Sequence, residues 1–308
     1  MVAERRRSLR VGIPRSILHY EFSGATGRFL RSLGIHVVLS PPTDERIFRQ
    51  GKRVVIDELC LPIKAFVGHV AELTGTGVDR ILIPILVGHE DGSSFPCHQM
   101  TRLADTVRAL DVCSAERLLS PVFRFDSGGV LTEDLCAFGR AMGASSGACA
   151  RAAEAWQTGP EEARSSEGHG DGPTIGVVGR PYVVADDWIN GGIVRKLEGL
   201  GCRVLVESPH ERVGYAPDGT GLHFALAART VTTAAAFDRA ADVDGIVLLL
   251  PFNCGPDGDV VRRVSRSIRT PMLPLVLEEH RSDGGVVTRL EAFVDLMNHA
   301  LANAEAVG

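Results

Sequence analysis

The sequence predicts an α/β protein made of two Rossmann-like parallel-sheet domains from a pseudo-repeat, and three observations carry that prediction. Two segments read alike: RVGIPRSILHYEFSGATGRFLRSLGIHVVLSPP (Arg10 to Pro42) and TIGVVGRPYVVADDWINGGIVRKLEGLGCRVLVESP (Thr174 to Pro209) each run strand, loop, helix, Leu-Gly turn, strand and then proline. Each half continues with a further apolar strand, ILIPILV from Ile81 and GIVLLLPF from Gly245, and a cysteine soon after it. Between the halves, QTGPEEARSSEGHGDG is rich in Gly, Ser, Glu and Pro and nearly devoid of apolar residues, so it reads as a linker. The expected organisation is an N-terminal α/β domain over 1–156, a flexible linker over 157–173 and a C-terminal α/β domain over 174–308.

The elements follow from local pattern. Val247 to Leu250 is a continuous apolar run, as expected of a strand covered on both faces. Pro256 suits the first position of the next helix, where a missing N–H costs nothing, so Cys254 stands on a strand-to-helix turn. DELCLPIKAFVGHV reads as an amphipathic helix opened by Pro62, just after Cys60. Cys97 follows Pro96 in a polar, glycine-bearing loop, with a helix expected from about Thr101. TRLEAFVDLMNHAL, Thr288 to Leu301, has apolar spacing of three and four and reads as a closing helix. Strands alternating with helices imply parallel sheets with helices on both faces, and ligands then gather beyond the carboxyl ends of the strands. Cys97 and Cys254 fall at those ends.

Composition removes several classes of function. With 308 residues, 44% of them hydrophobic, the chain can bury a large core. Net charge is −5 with mixed signs, and the one compact basic run, Arg5 to Arg7, lies in a short N-terminal tail, so no nucleic-acid partner is expected. No apolar stretch approaches bilayer length and MVAERRRSLRVG lacks the apolar core of a signal peptide, which points to a cytoplasmic protein without a membrane partner. Neither IPRSILHY nor VGRPYVVA is a GxGxxG loop, and GxxxxGK[ST] occurs nowhere, which argues against dinucleotide binding of the usual kind and against P-loop ATP hydrolysis.

Seven cysteines without short regular spacing do not form a secreted disulfide framework. Cys113, Cys136, Cys149 and Cys202 lie in or beside helical and strand patterns and read as small core residues. Cys60, Cys97 and Cys254 differ, because each stands at or near a helix start, where the dipole favours a thiolate. Lys64 and His98 are expected to lower the thiol pKa further. Three thiolates from three loops suit an iron–sulfur cluster or zinc, although their wide separations match no paired-cysteine zinc motif. For zinc, His98, His69 or His89 is the candidate fourth ligand. By residue pattern alone, a metal site and three unrelated buried or catalytic thiols both stand.

Several motifs together carry a resemblance over most of the chain: VGIPRSILHYE, LSPPT, DELCLPIKAFVGHV, the ILIP strand, FPC, GVVGRPYVVADDWIN, LLLPFNCGPD and TRLEAFVD. The chain resembles the dehydratase-like domain of the acyl-CoA dehydratase activase-related proteins, kin to the subunits of 2-hydroxyacyl-CoA dehydratases. The resemblance implies a 4Fe-4S cluster, or a sulfide-bridged double cubane between subunits, with Cys60, Cys97 and Cys254 as ligands. It also implies reduction by an ATP-hydrolysing activase, and a homodimer or heterodimer if clusters bridge subunits. In the relatives a low-potential electron placed on the thioester carbonyl yields a ketyl radical that expels the 2-hydroxyl. This chain is shorter than a typical dehydratase subunit, has no obvious acyl-CoA pocket insertion and lacks the nucleotide-binding motifs of the activase, so an activase would act in trans. Reductive or radical catalysis, a non-catalytic cluster relay and a metal-free α/β binding protein are the three functional readings.

Other polar residues were weighed beside these. Glu58 can accept hydrogen bonds around the site or stand at the start of the helix. Lys64, in the first turn of its helix, opposes the dipole and points to a nearby anion or to an ordinary surface lysine. His89, Glu90 and Asp91 form either a carboxylate–histidine pair or a solvated loop. Tyr182 and Asn190 are expected to face the crevice, while Asp186 and Asp187 read as caps of the following helix.

Overall fold

The computed structural model describes residues 8–22, 24–88, 95–126, 129–158, 170–206, 224–279 and 283–307. The chain divides into two compact units, Met1–Asp57 with Ile63–Glu162 and Glu58–Pro62 with Ala163–Gly308. The short segment Glu58–Pro62, which carries Cys60, groups with the second unit although it lies in the first half of the sequence. The helix Ser146–Thr158 takes in the first two residues of the expected linker, and 159–169 of that linker lie outside the described residues. So do Arg5 to Arg7, His89, Glu90 and Asp91.

The first unit contains strands β1 (Arg10–Ile13), β2 (His36–Leu39), β3 (Arg80–Leu82), β4 (Ile85–Val87), β5 (Leu118–Leu119), β6 (Val122–Asp126) and β7 (Gly129–Val130). Its main sheet has the order β2-β1-β3-β5, all parallel. The expected single strand ILIPILV is split into β3 and β4 because Pro84 has no N–H for the ladder. Pairing continues on either side of it, where Ile83 and Ile85 donate to Leu119 O and Pro121 O, both at 2.8 Å. β4 pairs in parallel with β6, and β6 turns into the antiparallel β7.

The second unit contains β8 (Thr174–Val178), β9 (Arg203–Val206), β10 (Gly245–Pro251) and β11 (Met272–Leu277), a parallel sheet that runs β9-β8-β10-β11. This is the order of the first sheet transposed, so the pseudo-repeat is a repeat of topology. In both halves the strand order reverses beside the first strand, between β1 and β3 and between β8 and β10.

The likeness extends to the helix ends. The helix Ala25–Ser32 ends through Leu33 into Gly34 at φ 76°, and the helix Ile193–Gly199 through Leu200 into Gly201 at φ 83°. At each, the glycine and its successor donate back, Gly34 to Arg31 O and Ile35 to Leu30 O, Gly201 to Glu198 O and Cys202 to Leu197 O. Glycine reaches this left-handed conformation without steric penalty, so both Leu-Gly turns stop a helix and start a strand in the same way.

Apolar burial holds each unit. All seven residues of β10 are buried, and Val178, Ile246, Leu248, Val260 and Val264 share one core with Ala227, Ala228 and Ala234. Each fully buried Val or Leu there contributes about 1.5–3 kcal/mol. The closing helix, Asp283–Val307, buries Leu290, Phe293, Val294 and Met297 at the expected spacing of three and four.

The helix Leu61–Thr74 departs from the amphipathic expectation, because residues 61 to 70 are all buried. The helix Glu45–Lys52 lies against it backbone to backbone at Gly51 and Gly68. A Cβ on Gly68 would come 1.9 Å from Ile47 O, and one on Gly51 would come 1.9 Å from Lys64 O. Gly68→Ala therefore forces the two helices apart and is expected to lower unfolding stability by at least about 1–3 kcal/mol in urea denaturation. Gly199→Ala, where an added Cβ meets nothing within 4 Å, should cause no loss.

Candidate functional site

The second unit gathers its polar groups where its strand order reverses. β8 ends at Val178, and two residues on Arg180 caps the short helix Pro181–Val184, with Pro181 opening it. β10 ends at Pro251, Asn253 takes a left-handed φ of 62°, and Cys254 is the N-cap of the helix Gly255–Ser267. Asp257, in the first turn of that helix, accepts from Arg180 Nε at 3.1 Å and Nη2 at 2.5 Å through a single oxygen, Oδ1. Arg180 is 3% exposed and Asp257 4%. Asp257 Oδ2 is buried without a hydrogen-bond partner among the described residues.

Cys60 reaches this corner through its own segment, where Leu61 N–H donates to Phe252 O at 3.4 Å. The charge of Cys60 bears on both Cys254 and Tyr182. Two of the three predicted cysteines thus belong to the same corner of the second unit as the Arg180–Asp257 pair and the buried Tyr182. Cys97 is the N-cap of the helix His98–Thr101 and belongs to the first unit. Among the described residues, no group of three or more His, Cys, Asp or Glu side chains could hold a metal ion.

The electrostatics correct one expectation. The helix start was expected to favour a Cys254 thiolate, yet its pKa is raised, first by burial and then by the Asp257 carboxylate, with Arg180 opposing. Burial works against the Arg180 charge, but the Asp257 carboxylate holds it firmly protonated. Burial likewise raises the Tyr182 phenol. The protein alone therefore offers a neutral thiol and a neutral phenol beside a fixed, internally paired cation.

The other singled-out residues sort differently. Asn190 was expected to face the crevice; instead its Nδ2 donates to Val184 O and its Oδ1 accepts from Gly192 N–H, both at 2.8 Å, which closes its own loop. Asp186 accepts from Trp188 and Ile189 N–H at 3.0 Å and so caps that turn, while Asp187 pairs with Arg195. Lys64 is no surface lysine: it is 1% exposed and donates to Asp57 O at 2.7 Å. Glu58 and His98 are exposed, and the His98 ring stacks on Phe95. Cys113, Cys149 and Cys202 are buried as expected, Cys136 only partly, and burial pushes Cys202 up to about 11.

His69, a candidate zinc ligand, has both ring nitrogens engaged, Nδ1 with Ser40 Oγ and Nε2 with Thr43 Oγ1, each at 2.9 Å. It is fully buried, and burial first, then the Arg15 cation, lowers its pKa to about 3.

The residues that sequence reasoning missed are Arg180 and Asp257, 77 positions apart. An arginine two residues after a strand and an aspartate three residues after a cysteine were the only signals, and neither reveals its partner.

What fold and site define is a class: an α/β protein of two topologically repeated parallel-sheet units, the second carrying two thiols at its switch point. Within that class, residues 10–209 match the family described as the CoA enzyme activase uncharacterised domain (DUF2229), and the chain belongs to that family. No curated protein matches the chain.

Two outcomes follow. Asp257→Asn leaves the Arg180 charge buried and unpaired, which should cost about 3–5 kcal/mol in chemical denaturation. For His69, the unfolded ring binds a proton near pH 6.5, whereas the folded ring resists protonation down to about 3. Between those values the unfolded state holds the extra proton. The His69 contribution is therefore complete above about pH 6.5 and is lost as pH falls toward 3, by up to about 1.4 kcal/mol per pH unit. Urea unfolding at a series of pH values should show this slope, and His69→Gln should flatten it.

Proposed function

We propose that this chain is an iron–sulfur protein resembling a 2-hydroxyacyl-CoA dehydratase subunit, with Cys60, Cys97 and Cys254 as cluster ligands and an ATP-hydrolysing activase as its reductant in trans. The observation that carries the reading is that the Cys60 segment belongs to the second unit and its Leu61 N–H donates to Phe252 O, two residues before Cys254. The family match adds an activase-related setting.

The residues present fit part of such a donor set. Cys60 and Cys254 are soft ligands, and the buried Asp257 Oδ2 is an acceptor that the described residues leave unmatched; Cys97, from the first unit, would complete the three. When bound, a cluster of this kind supplies one-electron transfer at low potential. The chain's own residues supply the surroundings. Arg180 is a permanent positive charge against which thiolate charge is balanced. Asp257 fixes its guanidinium, and Tyr182 is buried in the same corner.

A second reading is a metal-free α/β binding protein, since among the described residues no group of three or more His, Cys, Asp or Glu side chains could hold a metal ion. Anaerobic purification separates the two. The first reading expects brown protein with about four iron per chain, and Cys60→Ser, Cys97→Ser or Cys254→Ser should each remove most of it while Cys202→Ser does not. Colourless, iron-free wild-type protein leaves only the second. Given iron, ATP-dependent reduction of a small substrate in the presence of an activase distinguishes an enzyme from a relay.

A further inference from the structure

The transposed topology makes each unit a control for the other. Arg15 lies two residues beyond the end of β1, as Arg180 lies two residues beyond the end of β8. Cys97 and Cys254 are both helix N-caps, and the residue three places on donates back to each: Met100 to Cys97 O at 2.9 Å, Asp257 to Cys254 O at 3.3 Å. The residue that neutralises Arg180 thus has an apolar counterpart in the first unit, Met100, which is 3% exposed.

Arg15 is nevertheless held in place. Its backbone N–H donates to Ser40 Oγ at 2.7 Å and its Nε to Ser40 O at 3.1 Å. Ser40 is itself fixed by His69, which is neutral and contributes no charge of its own. Among the described residues Arg15 has no carboxylate partner, and its terminal nitrogens Nη1 and Nη2 have no hydrogen-bond acceptor. Ser16, next in the chain, is 3% exposed, yet its hydroxyl makes no hydrogen bond to any described residue. Ile17, a fully buried β-branched residue, takes φ 29° in the same loop. Conformations of this kind cost about 1–3 kcal/mol and persist only where the surroundings enforce them.

We propose that the carboxyl ends of β1 and β2, at Arg15 and Ser16, bind the oxyanion of a small molecule, a phosphate or a carboxylate. A pinned guanidinium presents two parallel N–H donors at the spacing of two such oxygens, which a lysine cannot do. Ser16 Oγ–H adds a third donor. Arg15 and Ser40 both follow the carboxyl ends of their strands, the side on which open parallel sheets take ligands. The proposal stands apart from the iron content of the second unit.

Calorimetric titration of the full chain with inorganic phosphate, and separately with succinate, tests it. At least one of the two should bind at a single saturable site, and the stronger binder names the oxyanion. Arg15→Gln should weaken that binding by at least tenfold and Arg15→Lys by several-fold, since it keeps the charge but loses the fork. Ser16→Ala should weaken it about threefold, and Arg53→Gln, an exposed arginine of the same unit, should leave it unchanged. If Arg15→Gln does not fold, the Arg15→Lys and Ser16→Ala titrations decide. Failure of both anions to bind the wild-type chain, or equal weakening by Arg53→Gln and Arg15→Gln, would show Arg15 to be an ordinary solvated arginine and overturn the proposal.

Discussion

A buried charge survives in a protein interior only when another charge or a set of hydrogen bonds matches it, and in the second unit that requirement is met by one ion pair. Arg180 leaves the end of β8 and Asp257 starts the helix after β10, so their contact ties together the two strand ends between which the strand order reverses. Everything else at that corner takes its place from the pair. Cys254 caps the helix that carries Asp257, Tyr182 follows Arg180 in the chain, and Cys60 is brought alongside by the hydrogen bond from Leu61 to Phe252. The same burial that makes the pair strong also raises the pKa of the neighbouring thiol and phenol.

The first unit solves the same topological problem with other chemistry. Its arginine beyond β1 has no carboxylate partner among the described residues but is anchored on Ser40, and Ser40 in turn on a buried neutral histidine. Beneath them, two helices approach at Gly51 and Gly68 so closely that no side chain fits, which leaves the helix Leu61–Thr74 buried around its first ten residues. Repetition of the chain path has therefore preserved a scaffold while the polar groups at its functional edge diverged.

How far the pattern of residues could be read depended on whether the relevant interaction was local. Apolar runs, Leu-Gly turns and prolines at helix starts act within a few residues, and they announced strands, helices and the repeat correctly. Pro84 is a local signal that was underweighted: its missing N–H divides what looked like one strand. The expectation of a Cys254 thiolate used a local term, the helix start, and left out burial and Asp257, which prevail. Likewise residue type alone marks Asn190 and His69 as site groups, whereas their hydrogen bonds are spent on Val184, Gly192, Ser40 and Thr43.

By itself, then, the sequence determined the α/β class, the two-fold repetition of its topology and the position of cysteines at strand ends, because each of these follows from short-range periodicity and backbone stereochemistry. Only the tertiary structure decided that Cys60 belongs with Cys254, that Arg180 is cancelled by Asp257, and that Arg15 has no such partner among the described residues. Those facts rest on burial and on groups brought together from distant parts of the chain, 77 positions apart for Arg180 and Asp257. Neither quantity exists until the chain has folded.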